Sequence, residues 1–410
     1  MRVCSSGPLR TVALGLLLAG AISGCGKTLS RQALENGSGP VAAVSGHGAR
    51  GLSTKNTTRL GGSGSAVDAA AVAVAVYPGL TLATRPQAVG LVDDADWPAA
   101  LAASTLAGRP LHMPLLYSDR GILPQATTQA LLTMKPTGVR SLNNVQVIRI
   151  GRGGAPPGYR AGSLTGSDPA SLAVTVEQLS STLRKKTPRQ LIVTAADGPP
   201  AMTMPAAGLA AQTGAPILFV ERSTIPQATR RELRRLGRTS IYVVGPNSVV
   251  EEKVIGEIGR YGTVTRISGS DPVTNAIAVS RFGDGSFGWG VVEPGHGLAF
   301  ANVSRPFDAP AAAPLSATGD YAPLLLLESP DLVPAALGRY LSDLQPGSPS
   351  SGPVHGVYNH GWVIGDESAI SATTQASLDA RLEIASQPAP EPPIASSTSA
   401  TGEPTQTTGG

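Results

Sequence analysis

From residue 57 onward the chain alternates two hydrophobic patterns. One is a short, unbroken apolar run; the other is a longer stretch rich in Ala and Val at helical spacing. Runs that follow Pro114, Pro216 and Pro323 hold consecutive apolar residues bounded by turns. That pattern fits a strand buried on both faces, as in a parallel sheet. A second set, "VQVIRIG", "SIYVVG" and "WVIG", ends on Gly151, Gly245 and Gly365. Between the runs lie "WPAALAASTLAG", "PAMTMPAAGLAAQTGA" and "FDAPAAAPLSATG", which predict small-residue helices.

The pattern repeats. "ILPQATTQALLTM" and "TIPQATRRELRRL" share Pro-Gln-Ala-Thr 102 residues apart, and "LVPAALGRYLSDL" has Pro334 in place of Pro124 and Pro226. Gly62, Gly166 and Gly269 also match, spaced 104 and 103, each after a β-prone pair and before a helical run. Asp168-Pro169 and Asp271-Pro272 predict an N-cap with proline at the first helical position. The body is therefore three tandem copies of one module: 57–157, 158–262 and 263–385. Each copy reads helix, strand, helix, strand after a short β-prone stretch. Alternation of this kind predicts α/β modules with parallel sheets and right-handed crossovers.

These blocks resemble the cell wall-binding repeat type 2 family of bacterial surface proteins. The residues that carry the resemblance are "TRISGSDPVTNAIAV", "FDAPAAAPLSATGDYAPLLLLES", "WPAALAASTLAG", "GAPILFVE" and "SIYVVGPNSVV". The resemblance spans 57 to 385. It implies Rossmann-like or flavodoxin-like modules packed side by side as a pseudo-threefold body. It also implies noncovalent attachment to an anionic wall polymer of the teichoic-acid kind. The chain departs from the family pattern in places. The family's first motif runs roughly Arg-Ile-Gly-x-Asp-Arg-Tyr-x-Thr-Ala; its Arg-Tyr-x-Thr part is missing here, and its basic residue survives only as Arg59 and Arg266. The Asp of Phe-Pro-Asp survives only as Asp308, with Ala99 and Met202 at the matching places.

The N-terminus changes the picture of where the protein works. Arg2 and Arg10 form a basic region before a short apolar stretch, Thr11 to Ile22, and "ISGC" ends at Cys25. The stretch is too short to span a bilayer as a helix. Small residues before a Cys resemble the bacterial lipobox. That implies a signal peptide over 1–24 and diacylation (palmitate-type chains) of Cys25, which would anchor the protein to the outer face of the cell membrane. Residues 25–56 read as a flexible tether and 386–410 as a Pro-, Ser- and Thr-rich disordered tail. Losing 1–24 removes Cys4 and two Arg, which lowers the formal net charge of +4 by two. The charge is thus a weak argument for any anionic partner, and no nucleic-acid partner is expected. With Cys25 lipidated no disulfide is left, so the core alone must hold the fold.

Candidate chemistry is sparse. No complete Walker motif, Gly-x-Ser-x-Gly elbow or HExxH is present, and the Gly-rich stretches "GRGGAPPG" (Gly151 to Gly158) and "GGSGSA" before a helix lack the full Gly-x-Gly-x-x-Gly. The five His show no metal-ligand spacing. No enzyme, metal or cofactor is expected. Two groups are candidates for polymer contact. Pro114-Leu115-Leu116, Pro216-Ile217-Leu218 and Pro323-Leu324-Leu325 match the family's Pro-Ile-Leu-Leu motif, or are simply core strands. Arg184, Lys185 and Lys186 form one basic cluster. Arg230, Arg231, Arg234 and Arg235, continued by Arg238, form another along one helix face, where guanidinium forks could pair with phosphates. The alternative for this second group is a solvated helix face. The expected function is a non-catalytic, lipid-anchored envelope protein that binds wall polymer. A small-molecule-binding lipoprotein or a protein-interaction scaffold on the same fold is the alternative.

Overall fold

The structure, a computed structural model, describes residues 52–319, 321–346 and 358–384. The expected signal peptide, Cys25, the expected tether up to residue 51 and the expected tail lie outside the described residues, as does His355.

Three four-stranded, all-parallel sheets are present. The first is built from β2 (Val89–Asp93), β3 (Leu115–Ser118), β4 (Val147–Ile150) and β5 (Ala161–Leu164), in the order β3-β2-β4-β5. The second holds β6 (Gln190–Ala195), β7 (Ile217–Val220), β8 (Thr239–Val244) and β9 (Gly262–Ile267), in the order β7-β6-β8-β9. The third holds β10 (Gly297–Asn302), β11 (Leu324–Leu327), β12 (His360–Ile364) and, from the other end of the chain, β1 (Thr57–Leu60). Its order, β11-β10-β12-β1, is the same. The inner strands are buried end to end or nearly so, as their continuous apolar runs require. The edge strands β5 and β9 are half exposed, which is why they read as little more than β-prone pairs.

Sheet and sequence repeat are thus out of phase. Each repeat donates its first strand to the sheet of the preceding repeat. The helix that follows crosses to the next sheet: α1 (Ser65–Val76) packs on β3, α4 (Pro169–Arg184) on β7 and α9 (Pro272–Arg281) on β11. For the first repeat there is no preceding sheet, so β1 pairs with β12, from Thr57↔Gly361 to Leu60↔Ile364. Residues 52–56, expected in the tether, reinforce this closure. Lys55 Nζ lies 2.7 Å from Glu383, and Asn56 N donates to Asp379 on α12 (Ala372–Leu382) at 2.7 Å.

The predicted helix starts form as expected. Asp168 Oδ1 accepts from Ser171 N at 2.9 Å and Asp271 Oδ1 from Thr274 N at 2.8 Å, each in a reciprocal capping box with proline next in line. The small-residue helices are α2 (Trp97–Ala103), extended by a 3-10 turn at Ser104–Ala107, the pair α5 (Pro200–Thr203) and α6 (Pro205–Thr213), and α10 (Asp308–Ala317). Elements of all three copies meet at Ala107, Ala211, Ala313 and Ala317. A Cβ on Gly108 would lie 2.5 Å from the Ala211 carbonyl oxygen, so backbones touch there and nothing larger fits. The high Ala and Gly content is a consequence of this close approach.

Candidate functional site

The Pro-Leu-Leu runs lie inside. Pro114 precedes β3, Pro216 precedes β7 and Pro323 precedes β11, and all nine motif residues are buried. Leu116, Leu218 and Leu325 are fully covered. A polymer outside the protein meets none of them; they are core strands, with about 1.5–3 kcal/mol of apolar burial per large side chain.

The second basic group is divided by the fold. Arg230, Arg231, Arg234 and Arg235 lie on α7 (Gln227–Leu236), which packs against α4, whereas Arg238 does not continue the helix face as expected, because the helix ends before it at Gly237. Arg235 turns toward α4, donating to Glu177 Oε2 at 2.8 Å and bonding its own helix neighbour Glu232. Glu177 is fully buried; burial and the nearby Glu232 carboxylate raise its pKa to about 7. Arg230 reaches Glu257 on α8 (Glu252–Ile258) at 3.1 Å. Arg231, Arg234 and Arg238 remain exposed, with no acidic partner among the described residues. The other cluster divides as well. Arg184 donates to the carbonyls of Gly214, at 2.5 Å, and Arg109, at 2.7 Å, joining two copies. Lys185 and Lys186 are exposed at the end of α4. Arg59 and Arg266, the basic residues of the first family motif, tie down backbone. Buried Arg59 donates to Gly365 O, Ile370 O and Gln375 Oε1, and Arg266 to Gly245 O and Val250 O.

The carboxyl ends of the strands are where open α/β sheets usually hold ligands. Here each is occupied by the start of the next repeat's helix, at three equivalent positions. Between the first and second copies, a Cβ added to Gly151 would lie 3.5 Å from Ala99 Cβ and 3.6 Å from Leu172 Cδ2. Between the second and third, Asn275 accepts from Gly269 N at 3.0 Å and donates to Met202 O at 2.7 Å. Between the third and first, the corresponding residues are Asp308 and Asp68, both fully buried. Asp68 Oδ1 accepts from Gly62 N at 2.7 Å, the bond Asn275 repeats. Neither carboxyl oxygen of Asp308 has a hydrogen-bond donor among the described residues. Burial, then the Asp68 charge, push the Asp308 pKa well above its ordinary value. Burial raises Asp68 itself to about 6, against the Gly62 N–H, the Asp308 carboxyl and the Arg305 charge. Arg305 spans the junction, 3.5 Å from Asp68 Oδ2, 3.2 Å from Gly62 O and 2.8 Å from Asp366 Oδ1. Asp68, Arg305 and Asp366 carried no motif. The one available signal was an acid in the otherwise apolar run "SAVDAAAVAVAV".

No group of three or more His, Cys, Asp or Glu side chains among the described residues has metal-binding geometry. Asp93 and Asp96 of "DDAD" accept from the backbone N–H groups of Ala95 and Ala99 and so shape the turn into α2.

Residues 164–255 and 266–375 match the model of the cell wall binding domain 2 (CWB2) family. The chain contains two CWB2 repeats. Its first copy lies outside the matched residues, yet its sheet has the same strand order as the other two. Among solved structures, Cwp6 from Clostridium difficile is similar with a TM-score of 0.62 at 17% identity, covering 80% of this chain and 48% of that one. Cwp8 from Clostridium difficile is similar with the same TM-score and identity, covering 80% of this chain and 52% of that one. The chain thus spans about half the length of each, and the likeness is one of fold. No curated protein matches it in sequence. No helix among the described residues is long and apolar enough to cross a membrane.

Proposed function

We propose that this chain is a non-catalytic, extracytoplasmic protein that binds an anionic cell-wall polymer, with diacylated Cys25 holding its other end in the membrane. The observation that carries the reading is the set of exposed guanidinium groups without an acidic partner among the described residues, Arg231 and Arg234 on α7 and Arg238 just after it, on a chain whose second and third copies are CWB2 repeats. Guanidinium groups in water bind phosphate or carboxylate strands as mobile forks, and several act together along one polymer. At the strand ends the side chains of Asn275 and Asp68 are engaged in contacts with backbone groups, whereas Arg231, Arg234 and Arg238 are exposed to solvent. A protein of this kind would link membrane to wall without chemistry.

The test is co-sedimentation of the full chain with delipidated walls, before and after acid stripping of anionic polymers, at two salt concentrations. Binding should disappear on stripping and weaken with salt, because exposed charges are screened over about 8–10 Å. Replacing Arg231, Arg234 and Arg238 by Gln should weaken binding with no change in unfolding. Salt-independent binding, or binding that survives stripping, would refute the reading. Lipidation is checked separately by mass spectrometry of the membrane fraction, where Cys25→Ser should release the protein.

A further inference from the structure

The repeat register shows where the third copy differs from its siblings. Four residues after Pro124 and Pro226, the PQAT helices carry Thr128 and Arg230; after Pro334, the helix α11 (Ala335–Asp343) carries Gly338. On the facing helix, twelve residues past Gly62, Gly166 and Gly269, stand Val74, Gln178 and Arg281. In the first copy α1 packs directly on α3 (Gln125–Met134). In the second, Gln178, Glu177, Glu232 and Arg235 bridge the two helices. In the third, with no side chain at 338, a cleft of about 630 Å³ is left between α9, α11 and α12.

Its lining is unlike that of a plain surface groove. Arg281, Arg339 and Arg381 come from three different helices, and Asp343 is the one carboxylate among them. Arg281 is already oriented, its guanidinium 4.8 Å above the Tyr340 ring and 2.5 Å from Asp343 Oδ2. Arg381 lies over Gly338. The floor between the charges is apolar, made by Ile277, Val333 and Pro334, with the Ser342 hydroxyl at hand. Such a site suits a ligand with an oxyanion at one end and a carbon skeleton bearing hydroxyls at the other. The volume falls in the range of small-ligand sites.

We propose that this cleft is a phosphodiester-binding site, seating one polyol- or sugar-phosphate unit with the phosphate between Arg339 and Arg381. The proposal rests on the wall-polymer reading and names the subsite and ligand class within it.

The test uses the full chain and isothermal titration with a glycerol-phosphate oligomer. Polygalacturonate serves as a carboxylate polymer and inorganic phosphate as the free anion. The oligomer should bind more tightly than either. The double variant Arg339→Gln/Arg381→Gln should bind it about tenfold more weakly, the loss of roughly one charge-assisted contact. Both residues are exposed, so unfolding should be unchanged. Gly338→Leu keeps every charge but puts a side chain where the Arg381 guanidinium now lies, and should weaken binding as well. An added Cβ alone would meet that guanidinium at 3.4–3.7 Å, so what must shift is the end of an exposed, flexible side chain. Oligomer binding that is unaltered in both variants would overturn the assignment. Preference for polygalacturonate would overturn the phosphodiester class while leaving the wall-polymer reading intact. A chain that binds neither walls nor any of the three probes would defeat both.

Discussion

Asp68→Asn tests the junction that joins the two ends of the chain. In the second-to-third junction Asn275 occupies the place that Asp68 holds here, accepting from Gly269 N and donating to a carbonyl. An Asn at 68 can therefore accept from Gly62 N and offer its amide to Asp308, whose carboxyl oxygens have no donor among the described residues. In the wild type the pKa of Asp68 rises from 3.8 to about 6 on folding, through burial first. A carboxyl raised in this way binds its proton more tightly when folded. The stability it contributes is full below pH 3.8 and is lost as pH climbs through about 6. At 1.36 kcal/mol per pKa unit, the loss attached to Asp68 is about 3 kcal/mol. Asn gives up the 3.5 Å contact with Arg305, which is partly exposed and keeps Asp366, so about 1–2 kcal/mol of net gain should remain at pH 8. Urea unfolding followed by tryptophan fluorescence at pH 4.5, 6, 7.5 and 8.5 measures this. The wild type should lose stability across that range, and Asp68→Asn should lose clearly less. If the two curves run parallel, or if Asn is destabilising at pH 8 by more than at pH 4.5, the carboxyl-pair argument is wrong.

Three further outcomes follow from the same geometry. Arg59→Ala leaves Gly365 O, Ile370 O and the Gln375 amide without their donor and should cost roughly 3 kcal/mol in urea unfolding, since orphaned buried acceptors are expensive. Arg235→Gln removes the counter-charge of buried Glu177. Glu177 then holds its proton still more firmly in the fold, so thermal melts should show a larger destabilisation at pH 8 than at pH 5. Leu325→Ala, inside a motif that resembles a binding element, should cost about 2–5 kcal/mol; at a temperature where the variant is fully folded, wall binding in the sedimentation assay should match the wild type.

The sequence by itself determined what is local. Continuous apolar runs announced strands buried on both faces, and the strands after Pro114, Pro216 and Pro323 are so buried. Asp-Pro pairs announced helix starts that form with the expected capping bonds. Internal repetition announced three α/β modules, including a first copy outside the residues that match the family model. These features depend on neighbours a few residues apart, and their periodicity is written in the chain.

Only the tertiary structure decided the contacts made across repeats. Nothing in "TTRL" tells whether it pairs within its own copy or closes onto β12. The partner is chosen by which edge is left unpaired, and that depends on the whole arrangement. The arginines of α7 look alike in sequence, yet Arg235 is taken up by a buried glutamate on another helix while Arg231 and Arg234 stay in solvent. Asp68 and Asp308 stand at opposite ends of the body in sequence and share one buried site in space. Charge pairing and burial are set by distances between elements, and those distances exist only once the sheets have assembled.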